Sequence, residues 1–115
     1  MTRQIAYKVL TAAQFAALEQ EKFEGAPVDI ADGYIHLSDA TQLTGTVRKH
    51  FAGQEGLMVL GINLLQLSGP VRWEVSRGGQ LFPHLYGRLR MADVLAHTPL
   101  RWQNGAVVLP IKALL

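Results

Sequence analysis

Residues 71–86 read VRWEVSRGGQLFPHLY. Two runs of alternating apolar and polar residues flank Arg77-Gly78-Gly79-Gln80, a hairpin signal. Side chains alternate across a strand. Val71, Trp73 and Val75 therefore oppose Arg72 and Glu74, and Leu81, Pro83 and Leu85 oppose Phe82, His84 and Tyr86. The register decides what the hairpin is for. If Gly78 and Gly79 alone form the loop, Glu74 stands opposite Pro83 and the two faces mix. If the loop has three residues, with a glycine at a bulge, Arg72 stands opposite His84 and Glu74 opposite Phe82. Both apolar sets then share one side. The buried pattern sets register, so the odd-length loop is expected, and Pro83 suits an edge or bulge.

The rest of the chain reads outward from this hairpin. Residues 4–10 (QIAYKVL) predict a first strand. Thr11 and Gln14 form a capping box for a helix to about Lys22 that buries Phe15 and Leu18. Residues 25–33 (GAPVDIADG) read as a loop, and residues 34–38 (YIHLS) as a short strand. A second helix, about 40–51, sets Leu43, Val47, His50 and Phe51 on one side, with Ser38 as its N-cap. Residues 57–62 (LMVLGI) are apolar throughout, the mark of a central strand covered on both faces. A helical turn is expected over 90–95, and strands 98–103 and 106–109 flank the hairpin signal Asn104-Gly105. Helices come early and paired strands late, which predicts a single α+β domain over 1–115 with two main helices. Ile35, Leu37, Leu57, Val59, Leu60, Trp73 and Leu85 are the expected core.

Composition narrows the function. The 115 residues include no cysteine, which excludes a disulfide framework, a thiolate nucleophile and a cysteine-based zinc site. No histidine pair has zinc-protease spacing and no phosphate-binding glycine loop is present, so no metal is expected. The net charge of +2 lacks the footprint of a nucleic-acid binder. The longest apolar stretch, Gly56–Leu65, is too short to span a bilayer, and residues 1–24 carry no export signal. A cytoplasmic protein is the expectation. Its basic residues gather late, with Arg72, Arg77, Arg88, Arg90 and Arg101 among them, and arginine favours bidentate contact with phosphate or carboxylate.

Three strands carry chemistry on their polar faces: Tyr34, His36 and Ser38; Arg72 and Glu74; Phe82, His84 and Tyr86. None of the three contains a lysine, although solvated faces are usually dressed with lysine, glutamate and threonine. Clustered groups that donate, accept or stack are what a binding cleft needs. His36, His84 and Glu74 are the candidate catalytic groups. Tyr34, Ser38, Arg72, Phe82 and Tyr86 are the candidate ligand-binding groups. Each has a plainer alternative: His36 as a core histidine, Ser38 as a helix cap, Glu74 as the ion-pair partner of Arg72.

Asp32-Gly33-Tyr34-Ile35-His36-Leu37-Ser38, Arg72-Trp73-Glu74 and Phe82-Pro83-His84-Leu85-Tyr86-Gly87, in this order, resemble the domain-of-unknown-function 952 family. That family is grouped by similarity with the ADP-ribosyltransferase fold. The nearest branch is the tRNA 2′-phosphotransferase, which also has a strand ending in His-Leu-Ser before a helix. The resemblance implies split antiparallel sheets around a cleft, with NAD as cofactor. Relatives commonly have a ribose-gripping histidine where Lys8 stands here, and a Glu-x-Glu motif is absent. Two functions follow. One is an enzyme acting on NAD, an ADP-ribosyl group or a 2′-phosphate ester. In it Arg72 holds a phosphate, Tyr86 and Phe82 stack on a ring, and His36 or His84 moves a proton. The other is a non-catalytic domain that binds a small anionic, nucleotide-like ligand.

Overall fold

The computed structural model describes residues 4–111. Two three-stranded antiparallel sheets and a two-stranded hairpin make up its β structure. In the first sheet, β3 (Met58–Asn63) lies between β1 (Ile5–Leu10) and β6 (Val94–Pro99). The apolar run over 57–62 is thus the central strand, as its composition predicts. In the second sheet, β5 (Leu81–Leu85) lies between β2 (Ile35–His36) and β4 (Val71–Val75). One rung joins the sheets: the Tyr7 amide donates to the Ser38 carbonyl at 2.7 Å and the Ser38 amide to the Tyr7 carbonyl at 3.0 Å.

The β4–β5 register is the odd-loop one, with Arg72 opposite His84 and Glu74 opposite Phe82. The Ser76 amide donates to the Gln80 carbonyl at 2.8 Å, which leaves Arg77, Gly78 and Gly79 as a three-residue loop. Gly78 (φ 65°) and Gly79 (φ 74°) both take the left-handed conformation that this turn requires. Past β6, Asn104 and Gly105 join β7 (Trp102–Gln103) to β8 (Ala106–Val107) with φ of 54° and 76°. This is the two-residue hairpin their sequence predicts.

Strand β1 is buried along its whole length because each face meets a different core. Ala6 and Leu10 pack with Phe15 and Leu18 of α1 (Ala12–Glu19), with Leu60, and with Ile35, Leu37 and Leu85 of the second sheet. Ile5, Tyr7 and Val9 pack with Val59 and with Leu43 and Val47 of α3 (Leu43–His50). By alternation Lys8 falls on the Ala6 side, inside the first core.

Four expectations change. Residues 25–33 contain a short helix, α2 (Pro27–Asp32), started by Pro27 and stopped by Gly33 at φ 86°. Ser38 does not cap α3; the Asp39 carboxylate accepts from the Thr41 and Gln42 amides instead. The helical turn expected over 90–95 is present at Met91–Asp93, but strand β6 follows at once over 94–99, ahead of the strand expected over 98–103; its pairing with β3 overrides the local signals. Trp73 is 42% exposed, whereas the other six expected core residues are buried. β4 is the outer strand, and the hairpin tip runs past the core, leaving Val75 and Leu81 exposed as well. Trp73→Ala is accordingly expected to cost less than about 1 kcal/mol in dilute solution, as surface substitutions do. A loss of about 3 kcal/mol or more in a urea titration, the cost of emptying a core site, would contradict this placement.

Candidate functional site

Strand pairing puts His36, His84 and Arg72 in one row across the second sheet. The chain just before β2 brings Tyr34 over this row. Its ring stacks on His84 with centroids 4.1 Å apart and lies 4.6 Å from His36 and 5.2 Å from Tyr86. The two histidine rings meet edge to face at 5.4 Å. A cleft of about 710 Å³ opens beside them, between the sheets and the helices. His36, Ser38, Phe82 and His84 line it. Tyr34, Arg72, Glu74 and Tyr86 do not; they stand around His84 on the far side.

The first polar network is buried. The Lys8 ammonium, in a strand of otherwise apolar surroundings, donates to Asp29 Oδ1 at 3.1 Å and to the His36 carbonyl at 2.9 Å. Asp29 also accepts from the Ala26 amide (2.8 Å), the His36 amide (3.0 Å) and His36 Nδ1 (2.7 Å). Burial alone would raise the Asp29 carboxyl. The hydrogen bonds from His36 and the charge of Lys8 outweigh it and hold the group at about 2. Burial lowers the Lys8 ammonium, and Asp29 opposes that shift. The second ring nitrogen of His36 meets Asp32 Oδ2 at 2.9 Å. With a carboxylate at each nitrogen, His36 has neither left for a ligand.

The second network ends in an open valence. His84 is 2% exposed, and its Nδ1 lies 2.9 Å from Glu74 Oε1. The Tyr86 hydroxyl donates to the same oxygen at 2.7 Å. The bonds from His84 and then Tyr86 hold Glu74 below the ordinary carboxylate range, and Glu74 in turn raises the Tyr86 phenol. An ionised Glu74 fixes the proton of His84 on Nδ1. His84 Nε2 is buried and has no hydrogen-bond partner among the described residues. Buried polar atoms are rarely left so, because each costs about 1–3 kcal/mol.

The cations of the cleft are Lys49 and Arg77, together with the engaged Lys8, and His50 lies beside them. Arg77 Nη1 donates to Thr46 Oγ1 at 3.1 Å, and its guanidinium lies 5.0 Å from the Phe82 ring centroid. Thr46 in turn bonds Ser38 Oγ at 2.9 Å. The His50 imidazole is lowered first by burial and then by Arg77 and Lys49, a sign of positive potential there. Arg72, expected to hold a phosphate, instead stacks its guanidinium on Tyr86 at 5.0 Å. Among the described residues no group of three or more His, Asp or Glu is placed to hold a metal ion.

Sequence reasoning missed Asp29, and it named Arg77 and Lys8 without placing either at the site. Arg77 reads as a loop residue, and only the three-residue turn folds it back over the Phe82 face. Lys8 did carry a signal: a lysine inside IAYKVL has to find a buried acid, and Asp29 is one of few candidates nearby.

Residues 9–97 match the family described as "Protein of unknown function (DUF952)". The crystal structure of protein CC0527 from Caulobacter crescentus is 39% identical, with 90% of this chain and 91% of that one covered and a TM-score of 0.80. The solution NMR structure of CC0527 is likewise 39% identical, with 90% of each chain covered and a TM-score of 0.74. No curated protein matches the chain.

Proposed function

The chain belongs to the DUF952 family, and within it we propose that the cleft binds a small anionic, nucleotide-like ligand through His84 and Arg77. One observation carries this reading: a buried imidazole, oriented by a carboxylate and with an unpartnered Nε2, belongs to a residue that lines a cleft of about 710 Å³. That volume lies within the usual range for ligand sites. With Nδ1 donating to Glu74, a neutral imidazole offers Nε2 as an acceptor, which calls for a donor such as a ribose hydroxyl. Arg77 and Lys49 call for phosphate.

NAD and ADP-ribosyl compounds carry both features, as does a 2′-phosphate ester. Two antiparallel sheets diverging around a cleft also suit an ADP-ribosyltransferase-like arrangement. In a transferase, the Glu74–His84 pair accepts the proton of an attacking hydroxyl at Nε2, and Glu74 stabilises the resulting imidazolium. Arg77 would meet the pyrophosphate of bound NAD. NAD itself supplies the ADP-ribosyl group and nicotinamide as leaving group. Lys8, at the position of a ribose-gripping histidine in relatives, is engaged by Asp29. The saturation of His36 favours the second reading, a binding domain without catalysis.

The test is a thermal-shift series with NAD, ADP-ribose, AMP and inorganic phosphate on wild type and His84→Gln. A ligand at 100 times its dissociation constant adds about 2.7 kcal/mol to wild-type stability. His84→Gln should weaken that ligand roughly 5- to 150-fold, the equivalent of about 1–3 kcal/mol. If no nucleotide at millimolar concentration moves the wild-type melt, the cleft is not a nucleotide site.

A further inference from the structure

Strand β4 has a free long edge: among the described residues it pairs with β5 and with no other strand. Its backbone phase is fixed by the rungs that bracket it. The Tyr86 amide donates to the Pro70 carbonyl and the Ser76 amide to the Gln80 carbonyl, at 2.9 and 2.8 Å. Residues 70, 72, 74 and 76 therefore aim their backbone groups at β5. Those of Val71, Trp73 and Val75 aim outward, because antiparallel pairs alternate in this way. Exposed edges of this kind are usually blunted by lysine, proline or a bulge. This one carries none of them, and Trp73, Val75 and Leu81 form an exposed apolar patch on one of its faces.

The strand is also self-complementary. In VRWEV, an antiparallel pairing centred on Trp73 sets Val71 against Val75, Arg72 against Glu74 and Trp73 against Trp73 of a second copy. The centre falls on an outward-facing residue, so each of the three outward residues would exchange two backbone hydrogen bonds with its opposite. The geometry points to β4 as the interface of a two-fold homodimer, in which the two second sheets join edge to edge through residues 71–75. Such a contact is isologous and closes on itself. On one face two Trp73 rings and the valines pair. On the other, Arg72 of each copy lies opposite Glu74 of its partner. His84 and Tyr86 both use Glu74 Oε1, which leaves Oε2 to the incoming guanidinium. Each copy thereby completes the shell around the other's Glu74–His84 pair.

The interface is tested by sedimentation equilibrium of the wild type and four variants from about 5 μM to 1 mM. The expected wild-type mass at the upper end is twice the 12.7 kDa of the chain. Val75→Pro removes an outward amide without touching the β5 ladder, and should shift the equilibrium at least tenfold towards monomer. Arg72→Glu should do the same by setting like charges opposite each other. Glu74→Arg should behave alike, while the double substitution Arg72→Glu with Glu74→Arg restores complementarity and the dimer. Hydrogen exchange on the wild type needs no variant: the Val71, Trp73 and Val75 amides should slow as concentration rises. A wild type that stays monomeric at 1 mM overturns the proposal. So does a dimer indifferent to Val75→Pro, or a double variant no tighter than its single parents. Because mass is read without ligand, failure here leaves the nucleotide reading standing, and the reverse also holds.

Discussion

Asp29→Ala is expected to destabilise the fold by about 3–5 kcal/mol, the range for removing one partner from a buried ion pair. The Asp29 carboxylate accepts from Lys8, from the His36 ring and amide, and from the Ala26 amide. Its loss strands an ammonium in the first core, next to Ala6 and Leu10. It also removes the bond that holds the start of α2 and one of the two carboxylates that hold the His36 ring. Urea denaturation measures the loss, and a cost below about 1 kcal/mol would mean that Lys8 finds water. Acid provides a second readout. The Asp29 carboxyl sits at about 2 in the fold against an ordinary 3.8. Between those values the unfolded chain binds more protons than the native one. The contribution of Asp29 is therefore complete above about pH 4 and disappears as pH falls through about 2. Its size is about 2 kcal/mol, because each pH unit separating the folded from the unfolded value is worth about 1.4 kcal/mol. Replacing both partners, Lys8→Met with Asp29→Leu, should recover much of the single-mutant loss, since apolar pairs often substitute for buried ions without penalty.

Gly69→Ala should cost about 3 kcal/mol, at the top of the usual range for overpacking. A methyl group there would sit 2.6 Å from the Tyr86 carbonyl oxygen and 2.9 Å from the Gly87 Cα, and both are backbone atoms that cannot swing aside. Gly87 mirrors it, because its own methyl would meet the Gly69 Cα at 3.0 Å. This contact explains the last residue of FPHLYG. The glycine after Tyr86 lets the chain leaving β5 lie against the chain entering β4. The Tyr86 amide bond to the Pro70 carbonyl depends on that approach, so Gly69→Ala should also loosen Tyr86 from Glu74. Thermal denaturation checks the cost. A variant as stable as the wild type would show that the two segments can separate freely.

The hairpin was legible because alternation leaves only one register that keeps Trp73 and Leu85 on the same side. The α+β class followed from the order of helices and hairpins. What alternation could not tell was which side of the sheet the core covers along its length. Val71 packs against the core while Val75, two rungs further, does not. The polar face was likewise misjudged in part. Phe82 and His84 are more buried than Trp73, because Tyr34 and Arg77 close over them. The site's anchor, Asp29, was hidden by its setting in GAPVDIADG. The proline and two glycines of that stretch speak for a loop, and a six-residue helix is too short to show an apolar period.

The single rung between Tyr7 and Ser38 has a mechanical consequence. Where two strands share a rung, their separation is fixed at about 4.8 Å. Ser38 also lines the cleft, so the rung fixes the spacing of the cleft wall at that point. Beside the rung, the Lys8 ammonium of β1 also holds the His36 carbonyl of β2, a second tie between the same two strands. The hairpin tip is fastened as well, because Arg77 donates to Thr46 and the Leu81 carbonyl accepts from Gln42, so the cleft is latched at its far side and offers a ligand a mouth of set width.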